Sequence, residues 1–404
     1  MNHDVPALLV KVGRSPQNHG CLGALRSLGR LGVPVYAMVE DRFTPCAVSR
    51  HLAGRFVVPT TGLEEPRALV SVLLRLGRAI GRRAVAVPTD DESAVLLAEH
   101  AERLAEWFEL PPVPPTLPRM LASKEGLRRI CAEHHVPTPW AHAPADRAQL
   151  VAQARDLGYP LVLKNLEAYT RVRAPVVTHT TVVHDENELL SLIGSCETPS
   201  VLMQEYIPSS DAEDWSTPLY CGVRGTPRLV FTGYKVRSWP VNSGAATRAR
   251  AWPNPRLARL AAELCRRIGY SGVADLDWRF DRRDGLYKLV DFNPRIGAQF
   301  RLFESGQGID VVRAMYLDLT GQPIPRAGQI YGRTFVVGQL DLLSATIDAW
   351  QQHRVPPAVL PRRGTERAWL SWDDPWPAVA ESVRFGGTVG RRLTKPLRQQ
   401  TAPG

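Results

Sequence analysis

The sequence predicts a mixed α/β and α+β protein, with a Rossmann-like parallel sheet at the N-terminus followed by a region of strands and helices that includes a β-hairpin. Three observations carry this expectation. Residues 7–110 alternate short apolar runs with amphipathic stretches, the βα rhythm of a parallel sheet. A proline-rich segment, PPVPPTLPR at 111–119, interrupts the chain. Residues 271–297, SGVADLDWRFDRRDGLYKLVDFNPRIG, alternate apolar and polar residues on both sides of an Arg-Arg-Asp-Gly turn, a strong hairpin signal.

In chain order, ALLVKV (7–12), VPVYAMV (33–39), 56–58 and RAVAVPT (83–89) read as strands. Helices are expected at 20–31, 66–80 and, as one long amphipathic element opened by acids, 91–108. The first turn, 13–23, contains glycine but not G-x-G-x-x-G, which argues against a dinucleotide site there. Asn18, Arg26, Thr89, Asp90 and Glu92 follow strand ends, where ligands of parallel sheets sit; turn and cap chemistry is the favoured account of each. Beyond the linker, a helix capped by Ser123 ends before Pro137, and another covers 146–157. YPLVLKN (159–165) is a strand closing on Lys164, 174–184 another strand, 185–194 a helix and SVLMQEYI (200–207) a strand. Residues 217–241 are mainly strands, and 254–269 form an amphipathic helix leading into the hairpin. After residue 329 come a strand (331–338), a helix (341–353), an irregular tryptophan-rich segment (368–379) and a solvated basic tail (388–404).

Composition narrows the functional classes. A chain of 404 residues with 44% hydrophobic content can bury a substantial core. No apolar run is long enough to span a bilayer and no signal-peptide core is present, so a cytoplasmic location is expected. Six scattered cysteines argue against zinc sites and disulfide frameworks. The net charge of +10 is spread without an aromatic-interleaved patch, which argues against nucleic acid and for an anionic small molecule. Only six lysines occur (11, 124, 164, 235, 288 and 395) against 44 arginines, so each lysine is a candidate for a role a guanidinium cannot fill.

The chemistry centres on the hairpin. Asp275 and Asp277 share one face of its first strand, and Asp291 and Asn293 share one face of the second. Pairing would set Asp277 beside Asp291, and oxygen ligands converging without a basic partner suit a hard cation such as Mg²⁺ held jointly with nucleotide phosphates. Arg295 follows, suited to an anion beside the metal. The alternative is a solvated hairpin whose acids face water. Lys164, ending an apolar strand, asks for an anion such as phosphate, or else reaches solvent. QEYIP (204–208) offers extended backbone for an adenine edge and acids for ribose hydroxyls.

In this order, Lys124, PLVLK ending at Lys164, VLMQEYIP (201–208), GYKVR (233–237) and GVADLDW…YKLVDFNPR (272–295) resemble the motifs of the ATP-grasp superfamily. RSLGRLGVPV, PTDDE (88–92) and DDPWPA (373–378) resemble bacterial carboxylate–amine ligases of the D-aspartate-ligase type. The resemblance implies a two-lobed ATP-grasp fold, divided as 1–112 (Rossmann-like), 113–200 (small lobe), 201–328 (large lobe with the metal site) and 329–404 (extension with basic tail). It implies ATP and Mg²⁺, or Mn²⁺ in its place. Lys124 and Lys164 would contact phosphates, and Gln204, Glu205, Tyr206 and Ile207 would frame adenine. Glu205, Asp211, Glu213 or Asp214 would hold the ribose. Asp277, Asp291 and Asn293 would ligate the metal, and Arg295 would stabilise the transferred phosphoryl group. Lys235 and Arg237, on one strand face, would bind the carboxylate or its acyl phosphate, with Arg301 a second candidate beside a plain salt-bridge role. The partners implied are a small carboxylate and an amine or thiol, and a homodimer is admitted. The family commonly has glutamate where Asp277 and Asp291 stand, and a glycine-rich loop where this chain has LEAYTRVRAPVV, in which Arg171 or Arg173 would replace backbone donors. A carbamoyl-phosphate-synthase-like or carboxylating enzyme, and a catalytically silent nucleotide-binding protein, are the alternatives.

Overall fold

The computed structural model describes residues 3–15, 18–166, 176–177, 180–241, 244–351, 353, 355 and 364–394. The N-terminal part consists of β1 (Ala7–Val10), α1 (His19–Gly29), β2 (Val35–Val39), β3 (Leu52–Val57), α2 (Pro66–Ile80), β4 (Ala84–Pro88), α3 (Asp91–Glu99), α4 (Ala101–Leu104) and β5 (Phe108–Glu109). The sheet is parallel throughout, in the order β3-β2-β1-β4-β5. Its central strand is buried along its whole length, which explains the unbroken apolar run ALLV. The helix expected over 91–108 is broken at His100 and stops at Leu104, and Phe108 instead pairs with Ala84 and enters the core as an edge strand. Asp90 caps α3 through Ser93 and also accepts hydrogen bonds from the backbone N–H groups of Val12 (2.9 Å) and Gly13 (2.7 Å) in the first βα turn.

The next part comprises α5 (Leu117–Ala122), α6 (Lys124–Glu133), β6 (Ala141–His142), α7 (Arg147–Leu157), β7 (Leu161–Asn165), β8 (Thr181–Val183), α8 (Glu186–Ile193) and β9 (Val201–Glu205). The proline-rich segment ends inside α5, where Pro118 occupies a first-turn position that needs no N–H donor. Ser123 caps α6 by accepting from Gly126 N. The sheet is antiparallel, ordered β6-β9-β7-β8. β9 was expected to open the large lobe at residue 201; instead Leu202 pairs with Lys164 and Glu205 with Leu161, so the small sheet extends to residue 205. Arg171, Arg173 and their loop lie outside the described residues.

The remaining elements are β10 (Ala212–Cys221), β11 (Pro227–Val230), β12 (Gly233–Trp239), β13 (Ala245–Ala251), α9 (Pro255–Arg267), β14 (Gly272–Asp281), β15 (Leu286–Asn293), α10 (Val311–Leu319), β16 (Thr334–Val336), α11 (Gly338–Gln351), β17 (Thr365–Arg367) and α12 (Trp376–Thr394). Seven strands run in the order β15-β14-β10-β12-β13-β16-β17, with β11 beside β10. α9 buries Leu257, Ala261, Leu264 and Cys265, one helical face, against Trp215, Leu276 and Trp278 of the sheet. On the sheet's other side, Phe300, Phe303 and Met315 share a core with Leu22 and Leu25 of α1, which welds the large sheet to the N-terminal one.

The segment expected to be a separate extension contributes β16 and β17 to the large sheet. The expected tail begins as helix, since α12 continues to Thr394. The tryptophan-rich DDPW turn anchors on the first helix. Asp374 is fully buried and accepts from Arg26 Nε (2.9 Å), Ser49 Oγ (2.7 Å) and Arg50 N (3.0 Å). Arg26, itself buried, also donates to the Trp369 and Asp374 carbonyls. Asp374→Ala leaves that guanidinium buried without its counter-ion, so a loss of about 3–5 kcal/mol in unfolding free energy is expected from urea denaturation. An unchanged midpoint would mean the pair carries no net stability.

Candidate functional site

A cleft of about 410 Å³ opens where the small and large sheets face one another. Its floor is the β14–β15 hairpin. Asp277 pairs directly with Asp291, and Asp275 with Asn293, while a bulge after Asp277 leaves Val290 unmatched in the cleft lining. Lys164 enters from β7, Lys124 from the first turn of α6 and Lys235 from β12. Arg295 follows the hairpin, donating to Asn293 Oδ1 (2.8 Å) and the Ile296 carbonyl (2.9 Å). A second cavity, of about 120 Å³, shares Lys164, Thr180, Lys235, Gly244, Asp277 and Val290 with the first, and is lined further by Gln204, Glu205, Tyr206, Ile207 and Asp214.

The electrostatics follow from crowding these charges in partial burial. Lys124 lies 2.6 Å from Asp291 and Lys235 2.9 Å from Asp277. Burial opposes the charge on Asp291, yet the Lys124 charge and hydrogen bond, with Lys164 and Arg295, hold its carboxyl below the usual range. Burial likewise works against Lys235, but Asp277 and Asp214 outweigh it and its pKa is raised. Lys164 has no such partner among the described residues. Burial, then repulsion from Lys124, lowers it to about 8. Asp275 is pushed up to about 7 by burial and by Asp277, and its Oδ1 is a buried acceptor with no donor. Gly297 permits this packing, since a Cβ there would fall 2.0 Å from Asp275 Oδ2.

Of the residues singled out for ligand contacts, Lys124, Lys164, Gln204, Glu205, Tyr206, Ile207, Asp214, Lys235, Asp277, Asp291, Asn293 and Arg295 line these two adjoining cavities, whereas Asp211, Glu213 and Arg301 do not. Nor does Arg237. A bulge between Lys235 and Arg237 turns its guanidinium away, onto buried Asp341 of α11 (2.8 and 2.9 Å), which it shares with Arg248. Other expectations change too. The hairpin acids do have basic partners, the lysines of α6 and β12. Glu205 is committed to structure, accepting from Trp140 N, Arg283 and Lys288. Arg301 is a buried salt bridge to Asp310 (2.8 Å). Asn18 and Asp90 act as helix caps, and Arg26 anchors Asp374, as turn and cap chemistry anticipates in the first two cases.

No family model matches the chain. A D-aspartate ligase of Enterococcus faecium is 21% identical over 292 residues, covering 69% of this chain and 68% of its own. Among solved structures, N5-carboxyaminoimidazole synthetase from Staphylococcus aureus complexed with ADP superposes with a TM-score of 0.61 at 13% identity, over 87% of both chains. L-Amino acid ligase from Bacillus licheniformis gives 0.56 at 18%, over 79% of this chain and 75% of its own. The chain has the ATP-grasp fold. A third ATP-grasp neighbour, the biotin carboxylase domain of a Hydrogenobacter thermophilus 2-oxoglutarate carboxylase bound to MgADP and bicarbonate, gives 0.58 at 15%, over 81% and 73%.

Several lining residues of the ATP-grasp cleft lay outside the sequence motifs. Gly244, Ala245 and Ala246 come from the start of β13, Ala298 and Gln299 from the turn after the hairpin. Asp91 is raised by burial and lies 3.4 Å from Arg295 Nε. It lies within PTDDE, but an acid opening α3 is also the ordinary sign of a helix start, and that signal alone marks no site. Lys164 yields a stability prediction. The unfolded chain holds the proton up to about 10.5 and the folded chain to about 8, so stability rises with pH between those values. Lys164→Met removes that rise and adds roughly 2–3 kcal/mol at neutral pH. Denaturant midpoints against pH check both; lower stability of the variant would contradict the assignment of an unpaired buried charge.

Proposed function

We propose that the protein is an ADP-forming ligase that activates a small carboxylate with ATP and joins it to an amine, or a thiol, through an acyl phosphate. The observation that carries this reading is the direct pairing of Asp277 with Asp291, with Lys124, Lys164, Lys235 and Arg295 around them in one cleft. Two carboxylates side by side suit a divalent cation that keeps phosphate and water oxygens in its shell, and among the described residues no group of three or more acids, histidines or cysteines offers an all-protein cage. Bound Mg²⁺ would neutralise the phosphates as a Lewis acid. Asn293, whose oxygen accepts from Arg295, is the weaker third ligand.

The chain's own groups do the positioning. An arriving triphosphate takes the ammonium groups of Lys124 and Lys235 from Asp291 and Asp277, releasing those carboxylates toward the cation. Lys164, already buried and without a counter-ion, gains one. The adenine lies against the end of β9 and Tyr206–Ile207. Asp214, which accepts from Arg279 and lines the second cavity, takes the ribose in place of Glu205. A substrate carboxylate oxygen attacks the γ-phosphorus, the bond to ADP breaks, and Arg295 and Lys235 balance charge on the transferred group. The amine then attacks the carbonyl carbon, loses a proton, and inorganic phosphate leaves. Arg237 has no part in this scheme.

ADP release, measured with amino acids, small acids, bicarbonate and amines supplied singly and in pairs, should require an acid and an amine together. Release with bicarbonate as the only acid points to carboxylation, and tight nucleotide binding without turnover under any pairing overturns the ligase reading. Asp291→Ala should lower turnover on the order of a hundredfold or more, assayed below the melting temperature of the variant because Lys124 loses its counter-ion as well. Lys164→Arg should weaken ATP use about tenfold, because a planar guanidinium replaces a point charge in a closed strand-end site. Lys288 is no neutral control: it is buried among Asp281, Asp284 and Glu205, and the exposed Arg282 serves better.

A further inference from the structure

We propose that α12 and the turn before it form a surface that seats the protein on an anionic lipid headgroup layer. The inner side of α12 packs on residues 45–48, with Pro377 and Glu381 buried and Arg384 bound to Asp41 and the Phe43 carbonyl. Its outer side is apolar. Trp376 is 63% exposed, Val379 51% and Val383 72%, and their spacing of three and four residues places them in one stripe. Trp372, one turn earlier, is 91% exposed, and Phe43, beside Arg384, is 74% exposed. Single exposed apolar side chains are ordinary, but two tryptophans at the N-terminal end of a valine stripe, with an exposed phenylalanine near the segment that α12 packs on, are not. Aromatic rings with a polar edge prefer the headgroup level of a bilayer.

Charge selects the occupant. The acids bordering the stripe are neutralised, Asp41 by Arg384 and Asp373 by Arg30 and His51. From residue 385 onward the sequence carries Arg391, Arg392, Lys395 and Arg398 and no acid. A second copy of this chain would bring a second acid-free basic run against the first, whereas anionic lipid complements it. Among the described residues no helix is long and apolar enough to cross a membrane, so the contact lies on the surface.

The test is co-sedimentation of the full chain with vesicles of phosphatidylcholine, with and without phosphatidylglycerol, alongside tryptophan emission. The expected result is binding to the anionic vesicles only, with a blue shift, weakened by added salt. Trp372→Ser with Trp376→Ser should weaken binding about tenfold or more, and Arg391→Gln with Arg392→Gln on the order of thirtyfold. Both pairs should keep the wild-type melting curve and ligase turnover, since neither pair belongs to the cleft. No binding to anionic vesicles, or equal binding to neutral ones, overturns the proposal. So does a dimer that the tryptophan pair converts to monomer by light scattering, which would make this face a subunit interface.

Discussion

Two carboxylates forced side by side are the constraint around which the molecule is arranged. The register of β14 against β15 puts Asp277 opposite Asp291, and in isolation that pair would drive the hairpin apart. Each acid is held by a lysine from a different part of the chain, one from α6 and one from β12. The hairpin is therefore coupled to α6 and to β12 by charge, in addition to the apolar core that Leu276, Trp278, Leu289 and Phe292 share with α5 and α6. The cleft cannot be taken apart into independent modules, since removing any one element leaves an unbalanced charge in the others.

Much of this was legible in the sequence because the signals were local. Period two and an Asp-Gly turn defined the hairpin, and with it the Asp277–Asp291 pairing. The βα rhythm gave a parallel sheet, and Ser123 and Asp146 marked helix starts at the positions seen. The scarcity of lysine was a usable signal as well. Lys124, Lys164 and Lys235 line the cleft, whereas Lys288 went instead to a structural cluster and Lys11 to Glu40.

What escaped was set by contacts distant in sequence. A two-residue edge strand, β5, takes Phe108 out of a helical pattern that looks continuous from 91 to 108, because pairing with β4 outweighs helical propensity there. The bulge in β12 cannot be seen in GYKVR, yet it decides that Lys235 faces the acids and Arg237 faces Asp341. The partnership of Arg26 with Asp374 spans nearly the whole chain, so neither residue announces it. Small residues such as Ala245, Ala246 and Ala298 line the cleft through what they leave empty, and no motif marks them.

The carboxylate of Asp90 has a consequence for ligand traffic. In parallel sheets the turn after the first strand, with its upward-pointing amides, is where cofactors with diphosphate bridges dock. Here the amides of Val12 and Gly13 already hold an oxygen of Asp90. A dinucleotide arriving at that turn would meet a fixed negative charge in place of free donors. The N-terminal sheet is thereby closed at that turn to the very molecules its topology invites.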